Sequence, residues 1–212
     1  MSFVDREIEI STLEAAYKNP VASLFVVYGR RRVGKTTLLA EFCKGKRALY
    51  YLATEESIQA NCAAFREMAA DFLQDELLRS AANAGWEMIF KTLLAQPSEE
   101  KLVIIIDEFQ YLGKADKAFP SVFQKIWDTQ LKNENVEMIL CGSLVHMMME
   151  QTLSYSSPLY GRRTGQIKLK QIPYAYYNQF FPAMSEQERI LYYAVTGGVP
   201  KYIELFHQGK GI

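Results

Sequence analysis

The sequence predicts an α/β protein in which helices cover both faces of an open parallel β-sheet. Short apolar runs alternate with amphipathic helical patterns, a glycine-rich loop follows the first run, and a later aliphatic run ends in two carboxylates. Uninterrupted aliphatic runs are typical of parallel strands buried on both faces. Because ligand-binding groups of such sheets lie at the carboxyl ends of the strands, we expect the loop and the paired acids to meet at one edge.

The first predicted strand is the apolar run at residues 24–28. It leads into residues 29–37, which read GRRRVGKTT and match the phosphate-binding pattern G-x-x-x-x-G-K-[ST]. After the loop, Leu38, Leu39 and Phe42 recur at helical spacing. Strand, loop and helix together predict a site where backbone amides and the positive end of a helix hold phosphate groups.

Each residue type in this loop suits phosphate chemistry. Gly34 and Gly29 supply backbone freedom, Lys35 is expected to reach the β- and γ-phosphates, Thr36 to hold Mg²⁺, and Thr37 to contact the α-phosphate. The three intervening arginines fit either a solvated loop crest or direct phosphate contact, and both make the mouth of the site electropositive. The loop residues expected to bind the nucleotide are Gly29, Arg30, Arg31, Arg32, Val33, Gly34, Lys35, Thr36 and Thr37.

The aliphatic run at residues 102–106 predicts a buried strand that ends in Asp107 and Glu108. Asp107 is expected to hold Mg²⁺, directly or through water, and Glu108 to polarise the attacking water as a general base. The alternative is an exposed acidic turn. The phosphate-binding loop upstream favours the metal and base roles.

Three further strands are predicted at residues 48–52, 136–143 and 166–170, which makes five. The strand at residues 166–170 alternates apolar and polar residues, as an edge strand does when one of its faces is exposed to solvent. Amphipathic patterns predict helices over residues 58–73 and 86–94.

Two segments, residues 121–124 and 185–188, have the spacing of capping boxes and predict helix starts. The second would open an appendage to the core. The aromatic segment at residues 173–182 either packs this appendage onto the core or forms a partner surface.

Polar residues flank the last two strands. Ser143, at the tip of the fourth strand, fits either a sensor of the γ-phosphate or a simple Gly-Ser turn. Arg162 and Arg163, before the fifth strand, fit either surface charge or an arginine finger that stabilises the charge of phosphoryl transfer, within the chain or on a neighbouring copy.

Composition narrows the class of protein. The 24 basic residues balance the 24 acidic ones, so the chain is not a nucleic-acid-binding polycation. Three scattered cysteines without metal-ligand spacing indicate reduced thiols. With no signal peptide, and no apolar run near the roughly 20 residues of a membrane span, we expect a soluble cytoplasmic protein. GTP specificity is disfavoured because no Asn-Lys-x-Asp motif occurs.

Six sequence blocks follow one another across nearly the whole chain. They are FVDRE at residues 3–7, YGRRRVGKT at 28–36, IIDEFQYL at 105–112, CGS at 141–143, LYGRR at 159–163 and GGVP at 197–200. Together these blocks resemble the archaeal-type ATPase domain within the STAND and AAA+-like P-loop ATPases.

The resemblance implies a three-layer α/β/α P-loop NTPase core, a five-stranded parallel sheet in the order 5-1-4-3-2, and the start of a helical lid. It implies ATP and Mg²⁺ as ligands, with Phe3, Val4 and Arg6 near the adenine and Gly198 and Pro200 closing over the base or ribose. The core would cover residues 1–182 and a truncated lid residues 183–212, because family members usually continue into more of the lid, a winged-helix module and often a nuclease-like domain.

Three functions stay open at this point. The first is an ATP hydrolase that acts as a conformational switch or motor for a C-terminal effector module, which Glu108 favours. The second is a nucleotide-dependent scaffold with little turnover, and the third a small-molecule kinase that holds its acceptor with Arg162 and Arg163. Partners to test, besides ATP and ADP, are nucleic acid bound through a C-terminal module and a second copy of the chain; no membrane partner is expected.

Overall fold

The computed structural model describes residues 4–207, which are built around one five-stranded sheet. The strands are β1 (Ser23–Tyr28), β2 (Ala48–Leu52), β3 (Leu102–Asp107), β4 (Val136–Gly142) and β5 (Gly165–Lys168). Their order is β2-β3-β4-β1-β5, which is the predicted order read from the opposite edge. All pairings are parallel, so the carboxyl ends of the strands share one edge of the sheet, and β5 is the edge strand that its alternation predicts.

Helices surround this sheet. The α-helices of the described residues are α1 (Glu7–Lys18), α2 (Lys35–Phe42), α3 (Ile58–Leu73), α4 (Glu76–Ser80), α5 (Trp86–Leu94), α6 (Gln110–Ala115), α7 (Phe119–Ile126), α8 (Val145–Met148), α9 (Glu186–Thr196) and α10 (Pro200–His207). A π-helical turn at Trp127–Leu131 continues α7, a second at Met149–Leu153 continues α8, and a 3-10 helix at Tyr174–Gln179 precedes α9. Within the part of the chain that the structure describes, no helix is both long and apolar enough to span a membrane.

The alternation of side chains along each strand divides the core into two layers. On β3, Leu102, Ile104 and Ile106 pack with α3, α5 and α7, while Val103 and Ile105 pack with α1 and α2 on the other face. Burial of both faces explains why the strands read as aliphatic runs. It also places α2, which follows the glycine-rich loop, on the same face as the side chain of Asp107.

One predicted helix start is wrong. α7 begins at Phe119, two residues before the capping box expected at residues 121–124, and no side chain caps it. Pro120 lies in its first turn, where proline has no hydrogen bond to lose. The carboxylate of Asp116 accepts a hydrogen bond from the Ala118 amide (2.9 Å) just before the helix.

The capping box at residues 185–188 is confirmed. Ser185 accepts from the backbone of Glu188, whose side chain bonds back to Ser185, and α9 follows. A third apolar cluster joins this region to the aromatic segment. Its buried members are Val4, Ile172, Tyr177, Phe180, Phe181 and Ile203. The aromatic segment therefore packs against α9 and α10, the helices that were expected to begin the lid.

Candidate functional site

The glycine-rich loop connects the end of β1 to the start of α2. Gly34 caps α2 with φ +95°, a left-handed conformation that favours glycine. Gly29 is pressed against the backbone carbonyl of Leu169, so a side chain there would collide with it. The first amides of α2 have no intrahelical acceptor and, together with the helix dipole, form a site for an anion.

A cavity of about 490 Å³ opens over this loop at the carboxyl edge of the sheet. The predicted site residues that line it are Val4, Arg6, Arg31, Arg32, Val33, Gly34, Lys35, Thr36, Thr37, Asp107, Glu108, Ser143 and Pro200. The loop and the paired carboxylates thus reach the same cavity. Sequence reasoning missed other lining residues, among them Glu41, Ile172, Phe180, Lys201 and Glu204.

Lys35 and Thr36 begin α2 inside the cavity. The ammonium group of Lys35, 7% exposed, donates to the carbonyl oxygens of Gly29 (3.0 Å) and Arg30 (3.1 Å), which hold it across the loop. The hydroxyl of Thr36 donates to Oδ2 of Asp107 at 3.5 Å. A fixed cation and a hydroxyl–carboxylate pair therefore lie side by side.

Asp107 ends β3 and is 4% exposed. Its Oδ1 accepts from the Glu108 amide (2.9 Å), and its Oδ2 accepts from the Tyr50 hydroxyl (2.5 Å). Burial, reinforced by the Asp107 carboxylate, raises the pKa of Tyr50 and that of the Cys141 thiol. Both groups therefore stay protonated beside the carboxylate. Sequence reasoning found neither contact.

Glu108 follows with φ +53°, an uncommon backbone conformation for a residue with a side chain. Its Oε2 accepts from the amide (3.1 Å) and the hydroxyl (2.8 Å) of Ser143, and also from Nε2 of Gln110. Gln110 is fully buried and was not predicted as a site residue. The Glu108 carboxylate is thus oriented by three donors at the tip of β4 and the start of α6.

The three loop arginines differ in position. Arg30 is exposed and is not among the lining residues. Arg31 donates to the Tyr111 hydroxyl (2.8 Å), and the guanidinium of Arg32 lies 5.6 Å from the ring centre of Tyr202 on α10. Arg31 and Arg32 therefore form part of the rim, and direct phosphate contact stays a prediction.

Part of the cavity wall is apolar and consists of Val4, Ile172, Phe180 and Pro200. Arg6 is buried there and donates to the carbonyls of Val33 (3.2 Å) and Lys170 (2.8 Å). Phe3, which was expected near the adenine, lies outside the described residues.

Gly198 was expected to close over the base or ribose, but it is not among the residues that line the cavity. Its carbonyl accepts from the Ile172 amide (2.8 Å), and the two backbones approach so closely that a Cβ at residue 198 would collide with the Ile172 carbonyl. Gly198 therefore holds the turn between α9 and α10 against Ile172, while Pro200 lines the cavity.

Residues 3–206 match a protein family described as an ATPase domain predominantly from Archaea. The chain belongs to this archaeal-type ATPase domain family. An uncharacterized protein of Methanocaldococcus jannaschii is 37% identical over 202 residues, which cover 95% of this chain and 43% of that protein. The ATPase domain thus spans less than half the length of this curated relative.

Solved structures show the same fold. A Walker-type ATPase of Pyrococcus abyssi superimposes with a TM-score of 0.63 at 22% identity, over 98% of this chain and 69% of that one. The ORC1 protein of Aeropyrum pernix, solved in complex with DNA, gives a TM-score of 0.65 at 13% identity, over 97% of this chain and 59% of that one. The family and the fold support ATPase-type nucleotide binding.

Arg162 and Arg163 lie away from the cavity of this ATPase domain. They precede β5, and the next residue, Thr164, bonds to Leu24 near the start of β1. From there to the loop is the length of the strand, about 13 Å at roughly 3.3 Å per residue. Arg162 is bound to Asp128 (2.9 Å), so its position does not support a finger role within the chain. Action on a neighbouring copy stays a prediction.

The oxygen ligands of the cavity suit Mg²⁺. A magnesium ion is usually held by one or two carboxylates, waters and substrate phosphates rather than by a full set of protein ligands. Thr36 and Asp107 offer one hydroxyl and one carboxylate at hydrogen-bonding distance. Among residues 4–207 there is no group of three or more His, Cys, Asp or Glu residues that could hold a metal alone. The residues present therefore fit a magnesium ion brought in with a nucleotide.

Proposed function

We propose that this ATPase domain binds Mg²⁺·ATP in the cavity and hydrolyses the bond between its β- and γ-phosphates. One observation carries the proposal: Lys35, Thr36, Asp107, Glu108 and Ser143 line the same cavity. The phosphate-binding groups and the candidate base therefore border one cavity, in which the proposal puts the γ-phosphate.

The chemistry follows from the roles that these side chains suit. Glu108 orients a water molecule and takes its proton as the oxygen attacks the γ-phosphorus, and the bond to the β-phosphate oxygen breaks to leave ADP. Lys35 and the amides of α2 stabilise the negative charge that moves onto the leaving phosphate. Mg²⁺, held by Thr36 and Asp107, would neutralise the β- and γ-phosphate oxygens.

The scaffold with little turnover remains a second candidate because of two observations. Ser143 and Gln110 already occupy Oε2 of Glu108, so that oxygen must be freed or shared to accept a water proton. Arg162 is engaged with Asp128 away from the cavity. If a second copy supplies the missing arginine, turnover per chain should rise with protein concentration.

The test is a product analysis with ATP alone and then with candidate acceptors. Glu108→Gln should keep the thermal stabilisation by ATP and lose turnover by about 100-fold or more, because it removes the base and keeps the shape of the side chain. Glu150→Gln, at an exposed carboxylate outside the cavity lining, is the matched control. Undiminished turnover in Glu108→Gln would refute its role, and phosphate recovered on an acceptor would identify a kinase.

The switch function is proposed from the contacts of the lid. Pro200 faces the cavity, and Tyr202 lies beneath the Arg32 guanidinium, so α10 adjoins the phosphate-binding loop. We infer that the nucleotide state sets the position of the lid and that a C-terminal effector module reports it. Adding duplex DNA to the turnover assay tests whether nucleic acid is the partner.

A further inference from the structure

Strand register brings Tyr50 to the side chain of Asp107. In the parallel pairing of β2 with β3, Tyr50 lies opposite Ile105, and Asp107 lies two residues further along β3 on the same face. Tyr50 packs against the core that contains Val103, Ile105 and α2. Its hydroxyl therefore approaches Asp107 from the neighbouring strand, on the face that carries Thr36.

The Asp107 carboxylate is held at both oxygens. The Glu108 amide donates to Oδ1 (2.9 Å), while Tyr50 (2.5 Å) and Thr36 (3.5 Å) donate to Oδ2. One firm donor on each oxygen fixes the rotation of the carboxylate about its Cβ–Cγ bond. Of these three donors, Tyr50 and Thr36 bind Oδ2. Without the Tyr50 hydroxyl, the longer hydrogen bond from Thr36 would be the one of the three that remains on Oδ2.

We propose that the Tyr50 hydroxyl is a positioning group for the magnesium site, because it holds the Asp107 carboxylate turned towards Thr36. The inference rests on the proposed function, in which Thr36 and Asp107 hold the ion. Removing a group that hydrogen-bonds a metal ligand typically lowers metal affinity about 10–100-fold. Mg²⁺ demands near-octahedral geometry, whereas Ca²⁺ accepts flexible coordination, so a loss of orientation should weaken Mg²⁺ more than Ca²⁺.

The chain offers a matched control one residue away. Tyr51 is on the opposite face of β2, and its hydroxyl donates to the backbone carbonyl (2.9 Å) and to Oδ1 (2.8 Å) of Asn61. Tyr51→Phe removes a buried hydroxyl from the same strand without touching Asp107. Tyr50→Phe keeps the ring and removes only the hydroxyl at the site.

The experiment measures thermal unfolding of the full chain with ADP while Mg²⁺ or Ca²⁺ is titrated. In Tyr50→Phe, the Mg²⁺ concentration for half of the metal-dependent stabilisation should rise by about 10-fold or more, and the Ca²⁺ concentration by less. In Tyr51→Phe both concentrations should stay within about twofold of the parent, even if the variant unfolds at lower temperature. The shift with ADP in EDTA should be the same in all three proteins.

Each result separates the two proposals. A parent protein without metal-dependent stabilisation would overturn both. A parent that binds metal while Tyr50→Phe has the same Mg²⁺ midpoint would overturn the positioning role alone. Equal shifts in Tyr50→Phe and Tyr51→Phe would assign the effect to lost stability and also overturn it. Mn²⁺ binding measured by electron paramagnetic resonance at low temperature repeats the comparison independently of unfolding.

Discussion

Glu137, the second residue of β4, should make the domain less stable as the pH rises. The side chain is fully buried, and within residues 4–207 neither of its carboxylate oxygens has a hydrogen-bond partner. Burial raises the pKa of this carboxyl from 4.5 to about 8; Lys101 and Lys46 act against this change, and Glu14 adds to it. The folded state therefore keeps a proton on Glu137 at pH values where the unfolded chain has released it.

The sign and the size of the change in the free energy of unfolding follow from the difference between the pKa of Glu137 in the folded and in the unfolded state. Below about pH 4.5 both states are protonated, and Glu137 contributes no pH dependence. As the pH rises towards 8 the unfolded chain binds fewer protons than the folded one, so the free energy of unfolding falls. At 1.36 kcal/mol per pKa unit, the full loss is roughly 5 kcal/mol, reached above about pH 8.

Chemical denaturation of Glu137→Gln and the parent, without nucleotide, measures this loss. The glutamine is neutral at every pH, so the advantage of the variant in free energy of unfolding should be smallest near pH 5 and grow up to about pH 8.5. Glu134→Gln removes an exposed carboxylate just before β4 and serves as the control. An advantage that stays constant with pH, or that is equal in both variants, would refute the reasoning.

Two further predictions concern the phosphate-binding loop. Lys35→Ala should abolish stabilisation by ATP, which is about 2.7 kcal/mol at a hundred times the dissociation constant. Lys44→Ala, at an exposed lysine just after the same helix, should keep it. A normal thermal shift in Lys35→Ala would contradict the assignment of the loop. Gly29→Ala should lower the unfolding temperature and weaken ATP binding, because the added methyl group must displace the Leu169 carbonyl. Gly85→Ala, where a methyl group meets open space, is its control, and equal effects of the two alanines in circular dichroism melts would count against the argument.

The strands and the loop could be predicted because burial on both faces leaves a signature in the sequence. β2 has the predicted bounds, and α3 and α5 coincide with their amphipathic patterns. The sequence alone also predicted that the loop and the acids lie close together, because parallel strands place their carboxyl ends on one edge of the sheet. These inferences depend on residue type and strand direction alone.

α1 could not be predicted in this way. Ile10, Leu13 and Tyr17 lie at helical spacing against the core, but only Leu13 is buried. The side chain of Ile8 is 80% exposed, so the apolar stripe of the helix is weak. Tyr50 left no signal either, because its contact with Asp107 depends on the pairing of β2 with β3. A strand pattern gives the face of a residue but not its neighbour on the next strand.

Arg162 shows the opposite case, in which its position in the fold argues against a role that its motif suggested. An arginine just before a parallel strand lies at the amino edge of the sheet, while the phosphate-binding loop lies at the carboxyl edge. The predicted strand order was therefore sufficient to question a finger role within one chain. The ion pair with Asp128 is a detail that only the coordinates supply.

The short segment from Val4 to Arg6 contacts two different parts of the molecule. Val4 is buried in the aromatic cluster that packs against α9 and α10, and Arg6 donates to the carbonyl of Val33 in the phosphate-binding loop. One residue separates them: Asp5, whose φ is +57°. If the lid opens as proposed, a tether this short must either unwind the turn at Asp5 or release Val4 from its packing, and a fluorescent probe beside that turn would register the movement.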